Sequence, residues 1–442
     1  MTGSGAMGPD ARLLQMAERV LGAAPPQAAR LIARESFLDT AACIRAGWSS
    51  PQRRAVSQML QLSESKGASG LALLWGTAAH ALDFDDFEEP GSTHPSAVLV
   101  PAILAMTARR TVTLGQMESA YVAGYEVILA LGLALGYGHY IAGWHATSTL
   151  AGIGAAAAVA YLLELTVDQT ASALSLAMTQ AAGMKAQFGT DAKALHAGLA
   201  ARNAVDSACS AASGIGAALE VYEAKDGFAA LYAPRNAPGW PENPPCITDY
   251  PPFRKLSPSC GYTLRAIDAA LQIAEQPGFD AAKIRAVQID IAQPYHQVAR
   301  FTQPADPHEA RFSVTWCVAC ALQDGHIDPL HFSDKGLKRS DISALEARVT
   351  AIPYPLAPGL GDVSPQAPEK VSVILMDGTR FVSECAVQRG APGKPLSRDD
   401  LLAKLGQCGF PAPKARAFLA FPGVAHFSAA QLLPAKICGP TV

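Results

Sequence analysis

Charged residues are scarce in this 442-residue sequence, because Asp, Glu, Lys and Arg together make up only 17% of it. Half of the residues are hydrophobic, which excludes an intrinsically disordered chain. The net charge is −3 at pH 7, so the basic excess that neutralises phosphates is missing and nucleic-acid binding is not expected. A chain of this length can bury a sizeable core without disulfide or metal cross-links.

Long apolar runs and targeting signals are also missing. The most apolar region, residues 121–161, is interrupted by Glu126, His139, His145 and several glycines, so we expect buried helices and no membrane span. The first ten residues show no basic stretch followed by an apolar one, the pattern of a signal peptide. The sequence therefore predicts a cytoplasmic protein with no membrane partner.

The nine cysteines form no recognisable framework of disulfides or metal ligands, and no metal site is predicted. Their number is odd and their spacing scattered, which suits a reducing compartment. Cys317 and Cys320 are a close pair whose apolar neighbours indicate a core helix with buried thiols. A nucleotide-binding glycine loop, a Walker loop, an HExxH helix and a GxSxG elbow are absent from the sequence.

The first half of the chain predicts helices almost throughout, because apolar residues recur at three- and four-residue spacing. The predicted helices are 12–21, 28–46, 51–61, 69–82, 96–110, 114–136, 147–163, 167–184 and 193–214. Several are apolar on every side, which is typical of helices inside a bundle. Their richness in Ala and Gly favours close approach between helices.

The composition changes at the proline-rich stretch 233–252, which cannot be helical. Beyond it, alternating residues predict strands at 287–291 and 348–352, and a hairpin of 370–376 and 379–387 around Asp377-Gly378. The helices expected in this half are 261–275, 311–324 and 340–347. A last helical segment, 396–419, must be interrupted by Gly409, Pro411 and Pro413.

These patterns predict a mainly α protein with an α+β second domain. Residues 1–254 and 396–442 are expected to form a large all-helical domain, on which the C-terminal tail packs back. Residues 255–395 are expected to form a smaller α+β domain. Pockets often form where two domains meet, so the junction near residue 255 is a candidate position for a site.

The first polar island is residues 80–96, where five acids within seven residues follow an apolar helix. One interpretation is a solvated turn that caps the next helix. The other is a site in which a His, such as His94, is oriented by a carboxylate, such as Asp83, at a helix start.

Two further polar islands open apolar helices. His145 precedes a cluster of Thr and Ser residues, which either only cap the helix or accompany a general acid or base. Lys193 follows a turn at Thr190. A lone Lys is usually solvated, but its ammonium group could instead hold a substrate carboxylate.

The fourth polar island, residues 253–263, lies at the predicted domain junction. Arg254 and Lys255 are either a solvated pair at a domain edge or cations that hold a carboxylate. Cys260 is a weak candidate for a nucleophile, because no constellation of His and Asn supports that role.

Together these segments resemble the MmgE/PrpD family. Residues His80 to Ser96 are similar to its DFDD…HPS segment, Gly143 to His145 to its GxH segment, and Phe188 to Gly198 to its FGT…K.LHAG segment. Pro258 to Thr263 and the late Asp-Gly hairpin also fit, in the right order. The resemblance extends from Glu35 to about Leu405.

The resemblance implies a large all-helical domain with a smaller α+β lid domain, a homodimer, and a site between the domains with no metal or organic cofactor. By motif, Asp83, His94, His145 and Lys193 match family site positions and are expected to be catalytic. We expect His145 to act as acid or base, and Lys193 to bind a carboxylate or stabilise developing charge. Asp83 and His94 would position the substrate.

Four further residues are expected to bind the substrate: Lys255, Cys260, Trp316 and Thr190. Cys260 and Trp316 stand where the cis-aconitate decarboxylase branch of the family has His and Tyr, and Phe87 replaces a Thr of that branch. Each departure removes a hydrogen-bonding or acid/base group. Decarboxylation of cis-aconitate is therefore not expected.

The resemblance implies a cofactor-independent lyase of the dehydratase type. Its substrate would be a small polycarboxylate, with proton transfer next to a carboxylate. The family includes 2-methylcitrate dehydratases, cis-aconitate decarboxylases and an iminodisuccinate epimerase. One alternative is an epimerase of an imino- or amino-dicarboxylate, with His145 and Lys193 as two bases. The other is a non-catalytic binding protein that kept the fold.

Overall fold

The structure is a computed structural model that describes residues 11–65, 67–108 and 110–438. The predicted fold class is confirmed, because a large helical domain adjoins a smaller domain with a mixed sheet. The helices of the first part are α1 (Ala11–Leu21), α2 (Gln27–Gly47), α3 (Pro51–Leu62), α4 (Ala68–His80), α5 (Ser96–Met106), α6 (Leu114–Leu135), α7 (Tyr137–Ile141), α8 (Ala146–Thr149), α9 (Ala151–Leu162), α10 (Val167–Thr179), α11 (Asp191–Ala212) and α12 (Phe228–Tyr232). The first ten residues, from which the absence of a signal peptide was predicted, lie outside the described residues.

Two predicted helices differ from the observed ones. The segment 147–163 is broken at Leu150, where α8 ends and α9 begins. The Thr149 hydroxyl lies 3.4 Å from the carbonyl oxygen of Ala146, a back-bond that bends helices. The segment 167–184 ends already at Thr179, and Gly183 beyond it has a φ of +126°, which no right-handed helix contains.

Helix α6 has well-defined ends. It begins with a capping box between Thr113 and Gln116 and ends before Gly136, whose φ is +66°. The short strand β1 (Val112–Thr113) precedes it. By length and composition α6 is apolar enough to cross a membrane, but 89% of its most apolar window is buried inside the structure, as in a core helix.

Glycines let the central helices touch, as the richness in Ala and Gly predicted. A Cβ on Gly124 of α6 would lie 2.4 Å from the carbonyl oxygen of Gly154 in α9. Likewise, a Cβ on Gly76 of α4 would lie 2.9 Å from the Cα of Gly198 in α11. The second approach holds α4 and α11 side by side, and residues of the site described below lie just after α4 and in α11.

The second domain contains a four-stranded sheet with helices. Its strands are β2 (Ile284–Ala292), β3 (Val349–Tyr354), β4 (Glu369–Leu375) and β5 (Arg380–Cys385). The strand order is β3-β2-β4-β5, with β2 and β3 parallel and the other pairs antiparallel. Its helices are α13 (Leu264–Ala274), α14 (Gln293–His296), α15 (Pro307–Arg311), α16 (Val314–Asp324), α17 (Asp334–Leu337) and α18 (Ser340–Glu346). The predicted core helix with Cys317 and Cys320 is α16, and both thiols are buried.

The predicted hairpin is the pair β4 and β5. Gly378 supplies the positive φ of its turn, at +89°, and the Asp377 side chain accepts a hydrogen bond from the backbone N–H of Thr379. Along β4, Val371, Val373 and Leu375 are buried, while Ser372 and Ile374 between them are partly exposed. The sheet therefore packs one face on α13.

The C-terminal tail returns to the helical domain. It consists of α19 (Arg398–Gln407), α20 (Ala412–Leu419), β6 (His426–Phe427) and α21 (Ala435–Cys438), and the break before α20 confirms the predicted interruption. Strand β6 pairs antiparallel with β1. Lys404 forms a buried ion pair of 2.7 Å with Asp39 of α2 and also donates to the carbonyl oxygen of Phe84. The bounds assigned above to the two domains stay a prediction.

Replacing Lys404 by Met should destabilise the protein by about 3–5 kcal/mol, because it leaves Asp39 buried and unpaired. Urea unfolding followed by circular dichroism measures the effect. The double variant Lys404→Met/Asp39→Asn should regain part of the loss, whereas Lys283→Met, at an exposed lysine, should change little. An unchanged unfolding midpoint for Lys404→Met would show that the tail is not anchored by this pair.

Candidate active site

A cavity of about 40 Å³, lined mostly by buried residues, lies between the helical domain and the start of the second domain. Its helical wall contains all four residues predicted to be catalytic, which are Asp83, His94, His145 and Lys193. They come from the turn after α4, the approach to α5, the residue before α8 and the first turn of α11. The opposite wall includes Cys260, Tyr262, Phe312 and Asp362 of the second domain.

Asp83 is the residue to which the two lysines of the site bind. It lies just beyond α4 with a φ of +52°, a left-handed conformation that Asp tolerates better than most residues. Its Oδ2 accepts a hydrogen bond of 2.7 Å from Lys193 Nζ, and its Oδ1 accepts one of 2.6 Å from Lys255 Nζ. Burial opposes ionisation of Asp83, but the two ammonium groups outweigh it and hold its pKa well below the usual value.

The two lysines differ in what they have left to offer a ligand. Lys255 is fully buried, and its Nζ also donates to the carbonyl oxygens of Asp83 and Ser259, so its three protons are used. It does not line the cavity, and the solvated-pair interpretation is wrong for it. Lys193 lines the cavity and donates to Asp83 alone among the described residues, which leaves two N–H groups for a ligand.

Four of the five acids of the first polar island are buried and Glu89 is partly exposed, so the interpretation as a solvated turn is wrong. Asp85 Oδ2 lies 2.7 Å from His80 Nδ1 and 3.1 Å from His94 Nδ1. Burial opposes ionisation of Asp85, but both imidazoles favour it and hold its pKa well below the usual value. Burial lowers the pKa of His94 to about 4, which makes it a neutral ring at pH 7. The backbone N–H of His94 donates to the hydroxyl of Thr147.

His145 is a buried, neutral imidazole. Burial lowers its pKa well below the usual value, and the positive charge of nearby groups such as Lys193 lowers it further. Its Nδ1 lies 3.1 Å from Nδ1 of His196, and its ring meets the edge of Phe188 and stacks on His80. Its Nε2 has no hydrogen-bond partner among the described residues. This nitrogen is therefore the ring atom of His145 that no described residue occupies.

Sequence reasoning missed part of the site. Asp362 lines the cavity from a loop of the second domain, and burial raises its pKa, so it favours the neutral acid. Nothing in its local pattern marks it, because its position depends on how the two domains meet. His196 belongs to a motif segment named above but was given no role, since its contact with His145 joins two distant parts of the chain.

Like Lys255, two more of the four residues expected to bind substrate do not line the cavity. Trp316 is buried in α16, where its indole N–H donates to the carbonyl oxygen of His331. Thr190 is the exposed N-cap of α11, and its hydroxyl accepts from the N–H of Ala192 and donates to Gln187. Neither lines the cavity, and the expectation that they bind substrate stays a prediction. Trp316 is part of the core around α16, and Thr190 caps the N-terminus of α11.

Cys260 does line the cavity, as does Phe87, which stacks on Phe253 at a ring separation of 4.6 Å. Burial and the carboxylate of Asp83 raise the pKa of the Cys260 thiol to about 12, so it is protonated at neutral pH and is not a nucleophile. Two of the three departures from the decarboxylase branch therefore face the cavity. The third, at Trp316, does not.

Two clusters within the described residues hold three metal-ligating side chains close together. In the cluster of Asp324, His326 and His331, the guanidinium of Arg339 already binds both oxygens of Asp324. In the cluster of His80, Asp85 and His94, the carboxylate is shared by the two imidazoles. We assign neither as a metal site, and the expected absence of a metal stays a prediction.

The fold and the site define a two-domain protein whose helical part supplies a lysine-bound carboxylate and histidines to an interdomain cavity. Sequence models of the family match almost the whole chain: the MmgE/PrpD N-terminal domain matches residues 11–240, and the MmgE/PrpD C-terminal domain matches residues 257–416. The chain belongs to the MmgE/PrpD family, which confirms the resemblance.

Curated relatives share part of this sequence. The cis-aconitate decarboxylase of Mus musculus is 26% identical over 353 residues, covering 75% of this chain and 70% of the relative. That of Homo sapiens is 27% identical over 357 residues, covering 75% and 71%. The cis-aconitate decarboxylase-like protein oryM of Aspergillus oryzae is 30% identical over 227 residues, covering 46% of this chain and 47% of the relative.

The Cys260 thiol should resist alkylation in the folded protein. With a pKa of about 12, its thiolate fraction at pH 8 is roughly a thousandfold below that of an ordinary thiol. A short pulse of iodoacetamide at pH 8, followed by peptide mapping, should label the exposed Cys246 and leave Cys260 unmodified. Urea-unfolded protein, in which all nine cysteines are accessible, serves as the control. Equal labelling of Cys260 and Cys246 in the folded state would contradict the assignment.

Proposed function

We propose that this protein is a cofactor-independent lyase of the dehydratase type that acts on a small polycarboxylate. The observation that carries the proposal is that two residues of one cavity, Lys193 and His145, have hydrogen-bonding groups that no described residue occupies. Lys193 has two free N–H donors, and His145 has a free Nε2. Anion binding and proton transfer next to a carboxylate need these two groups together.

The charges of the site favour an anionic ligand. Asp83 supplies one negative charge against the two ammonium groups that bind it, and the ionised Asp85 lies against His80 and His94 instead, so the Lys193 side of the cavity remains positive. The ring centroids of Phe188 and Phe312 lie 5.2 and 4.9 Å from Lys193 Nζ, so the two rings shield the ammonium group from water. This shielding strengthens the attraction of the ammonium group for a carboxylate. In our proposal Lys193 binds one carboxylate of the substrate and stabilises the charge that develops beside it.

His145 is the proposed acid/base. A neutral imidazole can take a proton from the carbon next to a bound carboxylate, and the electron pair then stays on the substrate as enolate-like charge. Asp83 acts through the lysines that it holds. His94, fixed by Asp85 and by Thr147, would position the substrate against His145.

In our proposal, substrate enters the cavity when the second domain moves locally away from the helical domain. A cavity of about 40 Å³ holds about three water molecules, which is less space than any di- or tricarboxylate occupies. The wall that contains Cys260, Tyr262 and Asp362 would therefore move away from α8 and α11 when substrate enters. Closure would then exclude water from the reaction.

Decarboxylation is the second candidate, because the curated relatives are cis-aconitate decarboxylases. Dehydration ranks first because Phe87 and Cys260 line the cavity where that branch has Thr and His. The wall thus lacks two polar groups of the decarboxylase branch.

A panel of acids tests the proposal. Purified protein is incubated in deuterium oxide with citrate, methylcitrate, cis-aconitate and iminodisuccinate, and the products are weighed by mass spectrometry. We expect loss of water from one acid. Loss of carbon dioxide would establish decarboxylation instead, and deuterium exchange without loss of mass would establish epimerisation. Failure of all four acids to react would contradict a polycarboxylate lyase.

His145→Gln should lower kcat on the acid that reacts by about 10²–10⁴-fold, which is the usual contribution of a general acid or base. Binding should be retained, because Lys193 remains. His426→Gln, at an exposed histidine of β6, is the matched control and should leave kcat unchanged. Turnover by His145→Gln at the normal rate would exclude His145 as the acid/base.

A further inference from the structure

His145 and His196 form a pair whose proton positions are linked. Their Nδ1 atoms are 3.1 Å apart, so one of them must donate and the other accept. When His196 donates, neutral His145 carries its proton on Nε2 and is an acid toward the cavity. When His145 donates, its Nε2 has a free lone pair and is a base.

His196 also faces a second cavity. This cavity has a volume of about 250 Å³ and is lined by residues that include Ser148, Gln180, His196 and Asn203. His196 is partly exposed, and its Nε2 has no hydrogen-bond partner among the described residues. Four of the twelve lining residues carry polar side chains and Gln180 among them is exposed to solvent, so the cavity can hold several water molecules. His196 therefore stands between the buried site on one side and a wet cavity on the other.

We propose that His196 is a relay residue that passes protons between His145 and water in the second cavity. This inference rests on the proposed function, because it explains how a closed site exchanges protons during a lyase reaction. It does not depend on whether the group lost is water or carbon dioxide, since both reactions move a proton to or from a substrate carbon.

When His145 acts as a base, three protons move in sequence. The substrate C–H bond breaks, its electron pair stays on the substrate, and its proton goes to His145 Nε2. The proton on His145 Nδ1 moves to His196 Nδ1, and the proton on His196 Nε2 moves to a water molecule in the second cavity. Each ring loses one proton and gains one, so both stay neutral. The reverse sequence delivers a proton to a substrate carbanion.

Neutrality matters because of the surroundings of His145. Lys193 and the rings of His80 and His94 face it from α11, α4 and the turn before α5, and His196 faces it from α11. Burial and these neighbouring groups make a positive charge on His145 costly, which is why its pKa lies well below the usual value. Without a relay, a neutral His145 that accepts a proton becomes an imidazolium beside Lys193, and one that donates becomes an imidazolate.

Two substitutions at position 196 separate a relay from a merely structural contact. His196→Asn places an amide near the position of Nδ1, so it can still hydrogen-bond to His145 but cannot pass a proton on. His196→Ala removes both functions and enlarges the second cavity. Asn203→Ala, in the same cavity wall, is the control and should keep the kcat of the unaltered protein.

With the acid that reacts as probe, His196→Asn and His196→Ala should both lower kcat by about 10–100-fold with little change in KM. Added imidazole should restore turnover of His196→Ala by entering the enlarged cavity. The proton inventory in mixtures of H2O and D2O should be curved for the unaltered protein and linear for His196→Asn. Normal kcat for His196→Asn would overturn the relay, as would a failure of imidazole to rescue a folded His196→Ala.

Failure of the proposed function can be told apart from failure of the relay. If the unaltered protein turns over none of the acids, 15N spectra of ring-labelled histidine still decide the relay. The relay requires His145 and His196 both neutral, with one Nδ1–H shared between them. An imidazolium at either ring, or protons on both Nε2 atoms with none on Nδ1, would overturn it.

Discussion

The site depends on one electrostatic constraint, which is that Asp83 is buried as an anion. Burial alone would favour its neutral form, and the two lysines contribute most to keeping it ionised. The dependence is mutual, because a buried ammonium group without a counterion is also costly, and breaking such a contact costs about 3–5 kcal/mol. All three N–H groups of Lys255 donate hydrogen bonds within the protein, including two to Asp83 after α4. Lys193 donates one hydrogen bond to Asp83, so two of its N–H groups can bind a ligand. One carboxylate therefore organises a binding group and anchors the start of the second domain.

The fold brings these charges together by packing small residues. Gly76 against Gly198 lets α4 and α11 touch, so that Asp83 just after one helix reaches Lys193 at the start of the other. The second domain closes the cavity with Phe312, Cys260 and Asp362. Because the rings of Phe188 and Phe312 lie close to the ammonium group of Lys193, a bound carboxylate would meet little competing water. Such a site favours reactions in which negative charge develops next to a carboxylate.

Much of this arrangement was predictable from local sequence. The helix periodicity, the Asp-Gly hairpin and the interrupted tail depend on residues near one another in the chain, and the ordered motifs indicated the family. What local patterns could not show is which side each residue faces. Trp316 is a core residue and Thr190 is a helix cap, and neither lines the cavity. Asp362 lines the cavity and His196 contacts His145, although the sequence analysis gave neither residue a role. The burial of the acids at 83–88 likewise depends on long-range contacts, because a turn of the same composition is normally solvated.

The central claim is that Lys193 binds the substrate carboxylate. Asp83 holds Lys193 in place, and Lys255 in turn holds Asp83. Calorimetric titration with tricarballylate, a tricarboxylate without a leaving group, tests it directly. The account predicts binding to the unaltered protein, and a loss of at least about tenfold in affinity for Lys193→Met, since a charged hydrogen bond contributes about 1.5–3 kcal/mol. Equal affinities for the two proteins, with Lys193→Met folded, would contradict the account.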